Sequence, residues 1–453
     1  MPKVTSPADD PAVARLDAGG FASAMAACLG ERQLTRLAVA CSGGADSMAL
    51  ALFARDWARD QGVLLTAFIV DHGLRDEARA EALGVQARLE TLGIAAEVLH
   101  APGPQARPTR DIQAHARDLR YHLLLRQCRA QGIDCLALAH HMDDQAETFL
   151  LRLARGSGVD GLSAMAPATD WGGVRLLRPM LQVPKSALLA RLRDAGVTWV
   201  EDPSNQDTRF ARVQVRLAQD SLRALGLTPQ RLAGTAARMG RARAALDQAS
   251  SALIAASVRE DPTGFALVDR ATLCGAPEEV ALRALARLVG RVGGRLYPPR
   301  LDRLERAFFA LRDEGARYRG STLAGVVLRP MAGNCLMLCR EAAGLDAAAP
   351  VASEMLWDGR FVMSFAQAAP EFEVRALGRA GWRHLRRLDP QAGRRGEALP
   401  GPVRVTLPAI WQGRDLAFAP HLQSGGALID ACPRPHSLHF AGPQPFATLS
   451  RDI

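Results

Sequence analysis

The sequence predicts an α/β fold with a doubly wound parallel sheet in its first half. Short apolar runs alternate with helix-forming stretches from Leu34 to about residue 195, an order typical of strand–helix–strand units. Polar clusters follow three of the apolar runs, at 42–47, 71–75 and 140–144. Because parallel strands end at the same edge of a sheet, we expect these clusters to face one crevice.

The individual elements follow from local patterns. Each predicted strand is a short apolar run, and each predicted helix is a longer stretch of helix-forming residues. Gly93 closes one of these helices as a C-cap residue. The predicted strands are 37–40, 64–70, 96–99, 135–139 and 174–177, and the predicted helices are 21–29, 48–54, 77–92, 111–131, 145–154 and 184–195.

The alternation stops after about residue 210, which predicts further domains. Thr228 and Pro229 are typical of a helix start, and a long helix is expected to about residue 258. We expect a small, mostly helical domain followed by a small β-rich one, joined by an Ala- and Pro-rich linker at 342–352. The expected domains are 31–216, 225–341 and 353–453; their expected elements are helices 278–289 and 299–312, a hairpin of 323–328 and 335–338, and strands 372–376 and 403–407.

The composition narrows the class of protein. The 453 residues carry a net charge of +9, which fits a polyanionic partner. The eight cysteines contain no Cys-x-x-Cys pair, so we expect reduced thiols rather than a disulfide framework. The first 16 residues lack an apolar core typical of a signal peptide, and no apolar run reaches membrane-spanning length. We therefore expect a cytoplasmic protein without a membrane partner.

The segment from Ser42 to Ser47 combines a strand end, a Gly-rich turn and a helix start. This order directs backbone N–H groups at one point, which suits a phosphate. Gly43 and Gly44 allow close approach to the backbone, and two serine hydroxyls add donors. Asp46 would repel a bare phosphate, so its presence implies a cation such as Mg²⁺. The Gly-Lys-Ser/Thr ending of a Walker A loop is missing.

A second candidate cluster combines His140, Asp144 and Glu147 at helical spacing, which places them on one helix face. Two carboxylates beside a phosphate site would bind a cationic substrate or a metal. An acidic first helix turn, favoured by the helix dipole, explains Asp144 without a function but does not explain the other two residues.

Basic residues form three further candidates. Arg117 and Arg120 share a helix with Tyr121, and arginines are dense in 209–243 and again in 375–395 around Trp382. Such stretches either contact a nucleic-acid backbone or form solvated helix faces, and the sequence leaves both open.

The loop at 42–47 resembles that of the PP-loop ATP pyrophosphatases. The wider set resembles the tRNA(Ile)-lysidine synthetases. The matching pieces are 42–47, 71–75, Ala116-Arg117-x-x-Arg120-Tyr121, His140-His141-x-Asp143-Asp144-x-x-Glu147-Thr148, Leu151-x-x-x-Arg155-Gly156-x-Gly158, Gly161-Leu162, Arg178-Pro179, Lys185 and Glu201-Asp202-x-Ser204-Asn205-x-Asp207. The family usually continues with Arg-Asn-Arg-x-Arg, whereas this chain has Arg212-Val213-Gln214-Val215-Arg216.

The resemblance implies an adenine nucleotide alpha hydrolase-like first domain and a two-step reaction. ATP adenylates the C2 oxygen of the wobble cytidine in a CAU-anticodon isoleucine tRNA, and the ε-amino group of free L-lysine then displaces AMP to give lysidine. ATP and Mg²⁺ are the implied cofactors, and a homodimer is possible.

The residues and the resemblance together assign the expected site. Catalytic roles go to Asp46, His140, Asp144 and Glu147; ATP and pyrophosphate binding to Ser42, Gly43, Gly44, Ala45, Asp46, Ser47, His72 and Arg75; lysine binding to Asp144 and Glu147; tRNA binding to Arg117, Arg120, Arg212, Arg216, Arg379 and Arg383; and metal binding to Asp46. His140 is expected to accept the proton of the lysine ammonium, because an ordinary histidine pKa suits that step.

Three alternative functions stay open. PP-loop tRNA thiolation is the main alternative, although such enzymes usually use cysteine pairs that are missing here. Amide-forming PP-loop ligases fit the basic C-terminal domains poorly. A non-catalytic RNA-binding protein would not need the intact loop and the acidic cluster.

Overall fold

The computed structural model describes residues 16–71, 78–101, 112–200, 211–424 and 432–442 of the 453-residue chain. The chain divides into two compact units, and the boundary falls between Arg243 and Ala244, within one long helix. The first unit thus continues beyond residue 216, the predicted end of the first domain. Within these described ranges, none of the helices combines the length and the apolar character that a bilayer span requires.

The first unit is built around one sheet. Its strands are β1 (Arg36–Ala40), β2 (Leu64–Asp71), β3 (Ala95–His100), β4 (Cys135–Ala137), β5 (Ala168–Trp171) and β6 (Val174–Leu177). Its helices are α1 (Ala18–Leu29), α2 (Ala45–Gln61), α3 (Ala78–Thr91), α4 (Ile112–Ala130), α5 (Met142–Leu153), α6 (Val159–Leu162), α7 (Lys185–Asp194), α8 (Ala211–Leu217), α9 (Gln219–Ala224) and the start of α10 (Pro229–Ser257).

The strand order β3-β2-β1-β4-β6-β5 confirms the predicted doubly wound sheet. All neighbours pair in parallel except β5, which forms an antiparallel edge with β6 and was not predicted. One core packs α1, α2, α3 and α7 against one face, with Met48, Leu52 and Leu188 almost fully buried. A second core packs α4 against the other face through Tyr121 and Leu124. Helices on both faces leave the carboxyl ends of the strands open as a crevice.

The second unit mixes helices with sheets. Its remaining helices are α11 (Arg270–Gly275), α12 (Glu278–Gly293), α13 (Leu301–Asp313), α14 (Gly378–Leu388), α15 (Pro390–Glu397) and α16 (Gly401–Arg404). Its strands are β7 (Val258–Asp261), β8 (Phe265–Asp269), β9 (Ser321–Leu323), β10 (Val326–Pro330), β11 (Cys335–Arg340), β12 (Ala349–Val351), β13 (Glu354–Trp357), β14 (Phe361–Ser364), β15 (Ala369–Ala376), β16 (Pro408–Gln412), β17 (Asp415–Phe418) and β18 (Ser437–Phe440).

Three sheets order the described strands of this unit. They run β7-β8-β11-β10-β9, β12-β15-β16-β17 and β13-β14-β18. The first of them shows that the predicted mostly helical region also contains a five-stranded sheet, whose inner face packs on α12 and α13. The predicted strand at 403–407 is wrong, because Gly401–Arg404 is helical and has a proline in its first turn.

Candidate active site

The segment from Ser42 to Ser47 forms a closed loop between β1 and α2. The hydroxyl of Ser47 accepts from the backbone N–H of Ser42 at 3.1 Å and donates to the carbonyl of Gly44 at 2.9 Å. The helix α2 begins after Gly44, and no described side chain caps it. Its first-turn N–H groups therefore stay available to an anion in the crevice.

Two features of the structure require glycine at position 43. Its φ of 81° lies in the left-handed region, and a Cβ atom there would lie 2.3 Å from a methyl group of Val85. Its carbonyl accepts a hydrogen bond from the backbone N–H of Val200 at 2.9 Å. The loop is therefore held from α3 on one side and from the segment after α7 on the other.

Asp46 lies in the first turn of α2 between two basic side chains. Its Oδ2 atom is 3.4 Å from His141 Nε2 and 3.8 Å from Lys185 Nζ. Its Oδ1 atom is buried without a hydrogen-bond partner among the described residues. Burial favours the neutral acid, but the hydrogen bond from His141 and the charges of Lys185 and Arg216 outweigh it and lower the pKa of Asp46.

His141 is a site residue that the sequence prediction missed. It is the N-cap residue of α5 and is almost fully buried, with Nδ1 3.2 Å from the backbone nitrogen of Asp143. Burial alone would lower the pKa of His141, but Asp143, Asp46 and Asp144 raise it to about 10. A histidine directly before an acidic helix start is the sequence signal that could have identified this contact between α5 and α2.

His140 lines the same crevice, but its pKa is shifted in the opposite direction to that of His141. Burial, followed by the charges of Arg178, Arg117, Arg212 and Arg120, lowers its pKa well below the ordinary value. Its Nδ1 atom is buried without a hydrogen-bond partner among the described residues. Burial and the neighbouring cations thus disfavour a charged ring, which speaks against His140 as the acceptor of the lysine proton, and its catalytic role stays a prediction.

Asp144 and Glu147 both lie on α5, but they have different partners. A carboxylate oxygen of Asp144 accepts from the backbone N–H of His141 at 3.0 Å and completes a capping box. Glu147 is 2% exposed and binds the guanidinium of Arg216, which comes from α8. Burial raises the pKa of Glu147, although the hydrogen bond from Arg216 opposes this shift.

A cavity of about 230 Å³ connects several predicted residues. Its wall includes the loop residues Ser42, Gly44, Asp46 and Ser47, together with Arg120 and His140. The remaining lining is mostly apolar and includes the aromatic rings of Phe68 and Tyr121. It consists of Ala40, Cys41, Phe68, Val70, Tyr121, Leu124, Leu138 and Ala139. A phosphate-suited loop beside an apolar slot fits a nucleotide, with its phosphates on the loop and its base in the slot.

The arginines predicted to bind tRNA are divided between the two units. Arg117 and Arg120 lie on α4, each with its guanidinium within 6 Å of the Tyr121 ring, and two nitrogens of Arg117 are buried without a partner among the described residues. Arg212 and Arg216 lie on α8. These four belong to the first unit: Arg117, Arg120 and Arg212 lie near enough to His140 to lower its pKa, and Arg216 binds Glu147.

Arg379 and Arg383 lie on α14 in the second unit and are exposed. Trp382 between them is used in packing, because Gly396 fits against its ring and the guanidinium of Arg404 lies 4.8 Å from the ring centroid. The predicted residues His72 and Arg75 lie outside the described residues, as does the predicted motif at 201–207.

The fit of a divalent cation depends on Asp46. Among the described residues, no cluster of three or more His, Cys, Asp or Glu side chains is arranged to hold a metal. The unsatisfied Oδ1 atom of Asp46, at the start of the phosphate-suited loop, is the donor that fits Mg²⁺, an ion commonly held by one carboxylate, water and substrate phosphates.

Comparisons with known proteins agree with this geometry. Residues 20–219 match the PP-loop domain family ATP_bind_3. The tRNA(Ile)-lysidine synthase of Ruegeria pomeroyi is 40% identical over 392 residues, which cover 85% of this chain and 88% of that protein. That of Methylobacterium nodulans is 41% identical over 332 residues, covering 72% of this chain and 96% of that protein. Identity of this extent, together with the loop, the crevice and the acidic residues of α5, shows that the chain belongs to the tRNA(Ile)-lysidine synthase family.

Proposed function

We propose that this protein attaches free L-lysine to C2 of the wobble cytidine of a CAU-anticodon isoleucine tRNA, through an adenylated tRNA. The single observation that carries the proposal is the convergence of the phosphate-suited loop, the apolar slot and the half-buried guanidinium of Arg120 in one cavity, with Arg117 close enough to act on His140 in its wall. The family membership supports lysidine synthesis over tRNA thiolation, and the chain has no Cys-x-x-Cys pair.

The first step, adenylation of the tRNA, needs ATP held both by its phosphates and by its adenine. In our proposal the α2 N-terminus, Ser42 and Ser47 bind the pyrophosphate part of ATP, and the slot around Phe68 takes the adenine. The cytidine C2 oxygen attacks the α-phosphorus, and the bond to the pyrophosphate oxygen breaks with its electron pair. Mg²⁺, when bound through Asp46, would neutralise charge on the leaving pyrophosphate.

The second step needs lysine in its uncharged form. The lysine ε-ammonium has an ordinary pKa near 10.4, so a side chain must take its proton before attack on C2. We assign Asp144 and Glu147 to holding the ammonium groups. Glu147 is also the better candidate for proton acceptor than His140, because burial raises the pKa of Glu147, whereas burial and then the charges of four arginines lower the pKa of His140. The amine then forms the C–N bond, and AMP leaves with the C2 oxygen.

The tRNA contacts extend the site. In our proposal Arg117, Arg120 and Arg212 bind the phosphates and base around the wobble position, and Arg379 and Arg383 of α14 bind another part of the tRNA backbone. Arginine suits both tasks, because its planar guanidinium pairs with phosphates and stacks on bases.

The deciding experiment supplies the purified protein with ATP, radiolabelled lysine and an isoleucine tRNA transcript. Label should enter the RNA, and a transcript with the wobble cytidine changed to uridine should stay unlabelled. Asp46→Ala should abolish pyrophosphate release while tRNA binding persists. Failure to label the cytidine transcript, together with sulfur transfer from a labelled donor, would instead support thiolation.

A further inference from the structure

Lys185 is a chemical exception in this chain. Of its 56 basic residues, only Lys3 and Lys185 are lysines. Almost every other cationic side chain of the protein is therefore a guanidinium. A lysine ammonium differs from a guanidinium in being a compact point charge with three freely rotating donors. Lys185 lies beside the phosphate-suited loop, where that difference matters.

The backbone of Lys185 is held firmly to the start of α5. Its N–H donates to Asp143 Oδ2 at 3.1 Å, and two residues earlier the carbonyl of Val183 accepts from the N–H of Met142 at 3.0 Å. Its helix, α7, is fixed against α2 by the buried side chains of Leu188 and Leu192. The point from which the side chain extends is therefore fixed relative to the loop.

The ammonium itself is held loosely. Nζ lies 3.8 Å from Asp46 Oδ2, longer than the 2.7–2.9 Å of a charge-assisted hydrogen bond, and 47% of the side chain is exposed. The ammonium is thus close to the loop but retains donors for another acceptor. The loop also lacks the lysine with which a Walker A loop contacts phosphates.

We propose that Lys185 is a catalytic residue that binds the pyrophosphate group of ATP during adenylation. This inference deepens the function proposed above and rests on it for the identity of the reaction. As the cytidine C2 oxygen bonds to the α-phosphorus, the P–O bond to the leaving pyrophosphate breaks and its oxygen gains negative charge. The ammonium of Lys185 turns from Asp46 to a pyrophosphate oxygen and stabilises that charge.

The alternative is that Lys185 is a positioning residue, which orients Asp46 and does not contact pyrophosphate. Binding of inorganic pyrophosphate to the free protein separates the two roles, since it needs no tRNA and no turnover. Titration calorimetry on the wild type, Lys185→Met and Lys185→Arg should show about tenfold or greater loss of affinity for the Met variant and partial recovery for the Arg variant. Arg193→Met removes an exposed cation from the other end of α7 and should bind like the wild type.

Turnover supplies the second measurement. With isoleucine tRNA, Lys185→Met should release pyrophosphate about 100-fold more slowly, the usual effect of removing one donor to a developing charge, while tRNA affinity and the KM for lysine stay unchanged. Pyrophosphate binding by Lys185→Met equal to the wild type would overturn the inference. If the wild type fails to modify the tRNA yet binds pyrophosphate through Lys185, the proposed function fails and this site stands.

Discussion

The guanidinium of Arg216 holds both carboxylate oxygens of Glu147, with Nε 2.5 Å from Oε1 and Nη2 3.3 Å from Oε2. The two residues are 69 positions apart, and their pairing fixes α8 against α5. A cationic side chain of the protein thus lies at the carboxylate that we assign to a cationic substrate. Lysine must share this carboxylate with Arg216 or displace the guanidinium from it.

The first prediction concerns the stability of this pair. Arg216→Ala leaves a buried carboxylate without its cation, so it should lower the free energy of unfolding by about 1 to 3 kcal/mol. Glu147→Gln should cost less, because the amide is uncharged and keeps an oxygen acceptor. Urea denaturation of both variants and of the double variant gives the coupling energy; purely additive effects would show that the contact is not formed in solution.

The second prediction concerns lysine. Asp144→Asn and Glu147→Gln should allow adenylated tRNA to form but hinder its conversion to lysidine, with a raised KM for lysine and little change in the KM for ATP. The exposed Glu90→Gln variant is the matched control. Loss of adenylation in both variants, with unchanged saturation by lysine, would place these carboxylates in the ATP or metal site.

The third prediction compares two glycines at opposite ends of α2. Gly43 and Gly62 both have positive φ, 81° and 67°, so alanine strains the backbone at each by roughly 1 to 2 kcal/mol. Only Gly43→Ala also places a Cβ atom 2.3 Å from Val85, whereas nothing lies within 4 Å at Gly62. Pyrophosphate release should fall strongly in Gly43→Ala and persist in Gly62→Ala below its melting temperature. Equal activity would show that the loop tolerates the shift.

The fourth prediction concerns the exposed arginines of α14. Replacing Arg379 and Arg383 by alanine should weaken tRNA binding and reduce the slope of log affinity against log salt by about one to two, because fewer phosphate counterions are released. The control is Arg306→Ala, an exposed arginine of α13 paired with Asp302. Filter binding at several salt concentrations measures both quantities, and an unchanged slope in the double variant would exclude these phosphate contacts.

The fifth prediction is a pH dependence in the second unit. Burial first, and then the charge of Arg360, lower the pKa of His421 to about 4, while its contact with the carbonyl of Pro262 and the charge of Asp261 act in the opposite direction. Nε2 donates to that carbonyl at 3.3 Å, and Nδ1 is buried without a partner among the described residues. A proton on Nδ1 would therefore lack an acceptor.

The sign of this effect follows from linkage. Between about pH 6.5 and 4 the unfolded chain binds a proton at His421 that the folded chain does not, so stability falls as the pH falls through this window. The loss attributable to His421 should reach about 1 to 2 kcal/mol between pH 7 and pH 5. His421→Gln keeps a donor for Pro262 but does not titrate, so its melting temperature should fall less over this range. An equal fall in melting temperature for the wild type and His421→Gln between pH 7 and pH 5 would contradict the role given to His421.

The sequence by itself determined the parts of this protein that depend on local order. Alternating apolar runs and helix formers predicted the parallel sheet, and Gly43 and Gly44 between a strand and a helix predicted a loop suited to phosphate. These predictions succeed because periodicity and backbone preferences act over a few residues. Such predictions fail where long-range packing competes with local preference. Residues 403–407 have the pattern of a strand, but their first two residues belong to the helix Gly401–Arg404, which has a proline in its first turn.

Only the tertiary structure decided what surrounds each titratable group. Arg216 reaches Glu147 from 69 residues away, and Lys185 of α7 lies beside Asp46 of α2. Burial and then four arginines from three segments lower the pKa of His140. The identity of a side chain sets its ordinary pKa and its donors, but burial and neighbouring charges set its state in the fold. Those neighbours are brought together by the packing of α2, α4, α5, α7 and α8, which no local pattern contains.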